Sequence, residues 1–179
     1  KVKKIRSYIS NWKNKAISAE EAVASSKFAD EREIAKMYLL YQGMLKENNA
    51  LDFDDLLSVT VQFLKRNDAV RKSYQERFEY YFVDEYQDTN PVQFDLIKLL
   101  SSGVGTSPKI TVVGDDDQSI YGWRGADISI IRRFNSDYRN VEIVKLEQNY
   151  RSSANIVQGA NSLIKNNVRT KEFQKNVFS

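Results

Sequence analysis

Apolar positions in the first part of the chain recur at helical spacing. Val2, Ile5, Ile9, Trp12 and Ala16 fall on one helical face. Ser18 with Glu21 has the spacing of a capping box and predicts a short helix to about Ser26. Asp30 with Glu33 repeats that spacing, ahead of one stripe of Ile34, Met37, Tyr38, Tyr41 and Leu45 that ends at Asn48-Asn49. Asp52 is placed to cap a further helix with apolar face Leu56, Leu57, Thr60, Val61 and Leu64. Asn67-Asp68 opens another, carrying Val70, Tyr74 and Phe78. Stripes of this kind are packing faces. The acid-rich run Leu51–Leu57 reads the same way: Asp52 is a cap, and Asp54 and Asp55 favour the positive end of the helix dipole.

Beyond residue 80 the pattern changes to strands alternating with helices. Tyr80–Val83, Ile110–Gly114 and Val141–Leu146 read as strands. Pro91–Leu100, Asp127–Phe134 and Ala154–Lys165 read as helices, the last with stripe Ile156, Val157, Ala160, Leu163 and Ile164. This alternation predicts an α/β region: a parallel sheet with flanking helices, preceded by a small all-helical part.

The first predicted strand runs into two adjacent carboxylates, Asp84 and Glu85. Asn90, Pro91 and Gln93 then supply an N-cap, a residue suited to the first helical position and a capping-box partner. The acids therefore lie in a strand-to-helix turn, where open α/β sheets place ligands. Such a pair suits Mg²⁺ at Asp84 and an attacking water at Glu85. Two acids at a helix N-terminus also satisfy the dipole with no chemistry at all, and these residues alone leave both readings open.

A second predicted strand ends in Gly114-Asp115-Asp116-Asp117-Gln118, bringing further polar groups to the same sheet edge. Gln118 is placed to donate to a phosphate without carrying charge. Tyr121 and Trp123 follow among glycines with Arg124 beside them. Exposed, these would offer single-stranded nucleic acid a stacking face and a cation. Buried, they would be core aromatics between turn glycines.

Composition narrows the chemistry. The 179 residues include no Cys and no His, which excludes thiolate nucleophiles, Ser-His-Asp triads, disulfides and ordinary zinc sites. A cysteine-free chain fits a reducing cytoplasm. No apolar run approaches the roughly 20 residues that cross a bilayer, so no membrane partner is expected. The first residue is Lys1 in place of Met, which predicts a piece of a longer protein. The net charge of +3 is unevenly spread: residues 1–17 hold six cations and no acid. A basic face of that kind either meets a polyanion or is simply solvated.

Three stretches together resemble successive motifs of superfamily 1 DNA helicases of the UvrD/Rep/PcrA type: Val83 to Asn90, Gly114 to Ala126, and Leu146-Glu147-Gln148-Asn149-Tyr150-Arg151-Ser152-Ser153. They occur in the family's order, and Leu51–Leu57 resembles a further family segment. The resemblance covers about residues 51–167. It implies that Asp84 binds the Mg²⁺ of Mg-ATP, that Glu85 activates the hydrolytic water, and that Gln118 senses the γ-phosphate. It also implies that Tyr121, Trp123 and Arg124 contact single-stranded DNA, that Tyr150 stacks on adenine, and that Arg151 reaches the γ-phosphate.

The same resemblance implies a partial RecA-like (P-loop NTPase) sheet over residues 51–167, a helical accessory subdomain over 1–50 that helps hold duplex DNA, and a connection to a second motor domain over 168–179. A P-loop requires a Gly-Lys pair, and none of the seven glycines is followed by Lys. By analogy the P-loop strand would lie between Ile110–Gly114 and Val141–Leu146. The gap is expected to close, to leave an open apolar edge, or to pair with another chain. The expectation is an inactive fragment of an ATP-dependent 3′→5′ DNA helicase. The alternatives are a non-enzymatic nucleic-acid-binding module or the helicase part of a helicase–nuclease subunit.

Overall fold

The computed structural model describes residues 2–102, 109–167 and 171–179. Residues 168–170, where the expected connection to a second motor domain begins, lie outside the described residues, as does Lys1.

The chain opens with helices α1 (Val2–Asn14), α2 (Ala19–Ser25) and α3 (Ala29–Glu47). Ile9 and Trp12 of α1 are buried against Ala22 of α2 and Ile34, Ala35 and Tyr38 of α3. The Trp12 and Tyr38 rings stack with centroids 5.9 Å apart. Ala22 and Ala35 are fully buried, and their small side chains let the helices approach closely. Met37, expected in the α3 stripe, is exposed.

Capping follows the sequence at some helices only. Ser18 and Glu21 form the expected reciprocal capping box of α2. At α3 the Asp30–Glu33 box is not made. The helix begins two residues earlier, after Phe28, which makes no side-chain cap, and Glu31 takes the Lys27 N–H at 3.3 Å. Asp30 is then a first-turn acid, still favoured by the dipole.

Helices α4 (Asp55–Arg66) and α5 (Asp68–Arg77) come next. The N-cap of α4 is Asp54, which makes no side-chain cap; Asp52 instead closes the turn that leads into the helix. Its Oδ1 accepts from the Asp55 N–H at 2.8 Å, while Asp55 Oδ2 accepts from the Asp52 N–H at 3.2 Å. The buried face of α4 is Asp55, Ser58, Val61 and Leu64. Leu56 and Thr60 point outward, so the expected stripe is rotated.

Strands β1 (Tyr81–Val83) and β2 (Ile110–Val112) pair in parallel, Tyr81 opposite Ile110 and Val83 opposite Val112. Helix α6 (Pro91–Ser101) lies between them in sequence, with the expected Asn90–Gln93 capping box and Pro91 in its first turn. The chain is thus mixed α/β and mostly helical, and the sheet among the described residues has two strands.

The third expected strand, Val141–Leu146, is not one. This segment carries no ladder, and Val144 and Leu146 are exposed. A strand needs a neighbouring edge to satisfy its backbone, and the described residues offer this segment none. Just beyond it an isolated parallel bridge joins Gln148 to Phe178, with Asn149 N–H donating to the Phe178 carbonyl at 2.6 Å. Phe82 and Val113 are also exposed, so part of the sheet's face is uncovered among the described residues.

The covered side of the sheet packs on Tyr86, Ile130 and Ile131, joined by Val83, Phe94, Val112 and Phe134. The expected helix over 127–134 is split into α7 (Ile128–Arg132) and α8 (Phe134–Asp137). The break at Arg133 turns the Phe134 ring edge-on to Tyr86, 5.7 Å away. Helix α9 (Ala154–Ile164) buries only Val157 of its stripe. Ile156 and Leu163 are exposed. No helix among the described residues is long and apolar enough to cross a membrane.

Candidate functional site: two strand ends and an aromatic loop

The two parallel strands end side by side, and each delivers a polar turn. Past β1 and β2 the pairing continues: Val113 N–H donates to the Val83 carbonyl at 2.8 Å, and Tyr86 N–H to the Val113 carbonyl at 2.9 Å. Asp84 is exposed at the first of these ends, with Oδ1 accepting from the Glu85 N–H at 2.9 Å. Glu85 has φ 50° and ψ 43°, a left-handed conformation that costs a non-glycine residue roughly 1–3 kcal/mol. That turn swings the chain from the strand into the short 3₁₀ turn Tyr86–Asp88 and leaves the Glu85 carboxylate outside the core.

Gln87 ties the two turns together, a role that sequence reasoning missed. Its side chain is almost fully buried. Nε2 donates to the Glu85 carboxylate at 2.6 Å, and Oε1 accepts from the Asp115 N–H at 3.0 Å. Its carbonyl accepts from Ser119 Oγ at 3.2 Å. An amide supplies both a donor and an acceptor, so one side chain fixes the acid against the opposite loop. Gly114 makes room for it: a Cβ there would lie 2.7 Å from Gln87 Oε1 and 2.9 Å from Ile131 Cδ1.

Gln118 is exposed, and its Nε2 donates to Asp115 Oδ2 at 2.7 Å. Asp115 also pairs with Lys175. Burial opposes ionisation of Asp115, but the hydrogen bonds from Lys175 and Gln118 and the Lys175 charge outweigh it and hold the carboxyl below its ordinary range. Asp115, Asp116 and Asp117 bring carboxylate oxygens within 4.8 Å of one another. Cations already compensate this cluster, Lys175 at Asp115 and Asp117 and Arg132 at Asp116, 3.1 Å away. Asp84 is different. It forms no ion pair among the described residues, and an exposed carboxylate oxygen at a strand end is a hard donor that suits Mg²⁺ sharing its shell with phosphates and water.

The aromatic residues that could have been core are outside. Trp123 is 75% exposed, and Tyr121 is also exposed. Their centroids lie 6.5 Å apart, and the Arg124 guanidinium sits 4.6 Å from the Trp123 ring and 5.2 Å from the Tyr121 ring. Gly125, at φ 94°, closes this turn in a conformation that glycine adopts without strain.

Tyr150 and Arg151 stand apart. Tyr150 is 86% exposed, and its hydroxyl donates to Gln148 Oε1 at 2.8 Å. Among the described residues no hydrogen bond or ion pair joins Tyr150 or Arg151 to Asp84, Glu85 or Gln118. The N-cap of α9 is Ser153, whose side chain makes no cap. Asn149 Oδ1 instead takes the Arg151 and Ser152 N–H groups at 3.0 and 2.8 Å.

Acidic strand ends at a parallel sheet are where open α/β sheets place ligands, and an exposed aromatic–arginine turn suits a stacked base. The profile of the UvrD/REP helicase N-terminal domain matches residues 1–139, and the chain belongs to that family. It is 48% identical over 173 residues to the ATP-dependent DNA helicase Rep of Escherichia coli (strain K12), a match covering 97% of this chain and 25% of that relative. It is 45% identical over 163 residues to the ATP-dependent DNA helicase PcrA of Staphylococcus epidermidis (strain ATCC 12228 / FDA PCI 1200), covering 91% of this chain and 22% of that relative. The chain thus spans about a quarter of the length of the curated relatives it matches.

Proposed function

We propose that this chain is part of an ATP-dependent DNA helicase that couples ATP hydrolysis to 3′→5′ movement along single-stranded DNA and to duplex unwinding. The observation that carries this reading is the Gln87 bridge, which holds Glu85 against the loop of Asp115 and Gln118, with the Tyr121–Trp123–Arg124 turn directly following in sequence. Family membership and the names of the relatives support it.

In this reading the chain supplies part of a RecA-like motor domain (51–167) and a helical accessory subdomain (1–50), with 168–179 leading towards a second motor domain. Asp84 holds the Mg²⁺ of Mg-ATP, which neutralises charge on the β- and γ-phosphates. Glu85 orients and deprotonates the attacking water, and its hydrogen bond from Gln87 fixes the direction of that carboxylate. Gln118 donates to the γ-phosphate when it exchanges its bond with Asp115. Tyr150 stacks on the adenine and Arg151 reaches the γ-phosphate. Both are solvent-exposed and available to do so. Trp123 stacks on a base while Arg124 meets the DNA backbone. With no Gly-Lys pair among its residues, the 179-residue chain alone hydrolyses essentially no ATP. A DNA motor of this kind works in the cytoplasm.

Unwinding by the full-length parent of duplexes with a 3′ or a 5′ single-stranded tail tests the reading. Strand separation is expected only with the 3′ tail, ATP and Mg²⁺. Equal unwinding from 5′ tails, or separation without ATP, would overturn it.

A further inference from the structure

The last residue of α1, Asn14, lies outside both proposed sites yet contacts the segments leading from each. Its Oδ1 accepts from Asn90 Nδ2 at 2.8 Å. Its Nδ2 donates to the Ser10 carbonyl at 2.8 Å, with longer contacts to Ser10 Oγ at 3.3 Å and Asp54 Oδ1 at 3.4 Å. Asn90 ends the Asp84–Asn90 stretch and is buried, with its own Oδ1 occupied by the Gln93 N–H at 2.9 Å as the cap of α6. Gly125, directly after Arg124, lies beside both: a Cβ there would be in ordinary van der Waals contact, 3.4 Å from Asn14 Cβ and 4.0 Å from Asn90 Cβ. The Asp127 N–H also donates to the Thr89 carbonyl at 3.0 Å, so the two segments meet beside Asn14.

The end of α1 is itself firmly placed. The neighbouring Lys13 is buried, with its ammonium 2.7 Å from Asp52 and 2.8 Å from Asp55. We infer that Asn14 is a positioning residue: it registers the end of the Asp84–Asn90 turn against the Tyr121–Gly125 turn, so that strand binding at the aromatic turn reaches the acids. A primary amide is required because the site needs an acceptor for Asn90 and a donor towards Ser10 and Asp54. Two segments fixed on one rigid reference form a contiguous physical network through which one site biases the other.

The inference rests on the proposed ATP- and DNA-dependent activity, and the test separates the two. In the full-length parent, steady-state ATP hydrolysis is measured with and without single-stranded DNA, resolving kcat and the KM for ATP, alongside thermal melting. Asn14→Ala removes the link. Asn90→Asp keeps a side-chain oxygen to accept the Gln93 N–H and cap α6 but removes the donor to Asn14. Both variants are expected to lower the stimulation by DNA by about two-fold to about thirty-fold, while the DNA-free kcat, the KM for ATP and the melting temperature stay near wild type. Ser10→Ala, which removes only the longer hydroxyl contact, is expected to keep full stimulation. Unchanged stimulation in Asn14→Ala or Asn90→Asp would overturn the inference, as would a parallel fall of DNA-free turnover or melting temperature. A wild-type parent whose ATP hydrolysis DNA does not stimulate would instead overturn the functional reading beneath it.

Discussion

Lys13 and Asp55 form an ion pair of 2.8 Å in which neither side chain reaches solvent. Asp52 completes the site at 2.7 Å from the same ammonium and also accepts from the Tyr41 hydroxyl at 3.0 Å. Gln42 Nε2 donates to Asp55 Oδ1 at 3.2 Å. The pair joins α1 to the first turn of α4, so it ties the helical part over residues 1–50 to the segment that leads into the sheet. Removing one partner of a buried pair leaves an uncompensated charge. Lys13→Met is therefore expected to cost about 3–5 kcal/mol in chemical denaturation of this chain. A loss below about 1 kcal/mol would place the pair with ordinary surface ion pairs.

Two partly buried carboxylates, Asp52 and Asp115, dominate the acid side of stability. Burial disfavours ionised Asp52, but hydrogen bonds from Lys13, the Asp55 N–H and Tyr41 outweigh it and lower its pKa from the ordinary 3.8. Asp115 is lowered in the same sense, with burial again opposed and outweighed by Lys175 and Gln118. A depressed folded-state pKa gives stability that is complete above the unfolded value and is lost as pH falls through the folded one. Stability of this chain should therefore decline as pH drops below about 3.8, the unfolded aspartate value. Asp115→Asn should flatten that decline while leaving its direction unchanged. Denaturation midpoints across acidic pH check this, and an unchanged slope in the variant would contradict it.

Gly114→Ala tests the closeness of the two strand ends. The added Cβ cannot sit 2.7 Å from Gln87 Oε1 and 2.9 Å from Ile131 Cδ1, so Gln87 must move off Glu85 and Asp115. Overpacking of this kind costs about 1–3 kcal/mol. Equilibrium unfolding should show that loss, and in the full-length parent the ATP turnover should fall with it.

Trp123 gives the opposite separation of stability and binding. Because it is 75% exposed, with Tyr121 and Arg124 beside its ring, Trp123→Ala should change stability by less than about 0.5 kcal/mol. Loss of one stacking platform should weaken single-stranded DNA binding by about 1–3 kcal/mol. Fluorescence titration of the full-length parent with an oligonucleotide reads this, and unchanged affinity would remove Trp123 from the interface.

What could be read in the sequence was mostly local. The Ser18–Glu21 and Asn90–Gln93 boxes need only residues three apart, and both form. The strand-to-turn placement of Asp84 and Glu85 rests on one apolar run followed by polar residues, and it too is present. Contacts between distant residues were not legible. Lys13 looked like one member of a basic N-terminal face, and Asp55 like a first-turn dipole partner. Only their meeting across 42 positions of sequence makes both buried. Gln87 and Asn14 gave no local sign either, because each acts by bridging segments that the fold brings together. Val141–Leu146 failed for a related reason: β-branched apolar residues favour extended chain, but a strand also needs a partner to pair with.

ATP turnover by the full-length parent and its Glu85→Gln variant, with Mg²⁺ and saturating single-stranded DNA, tests the central claim most directly. Glutamine keeps an acceptor for Gln87 Nε2 but cannot take a proton from water. Turnover should fall by about 10²- to 10⁴-fold while DNA affinity and melting temperature are preserved. Near-wild-type turnover in the variant would contradict the assignment of Glu85 as the base at the end of β1.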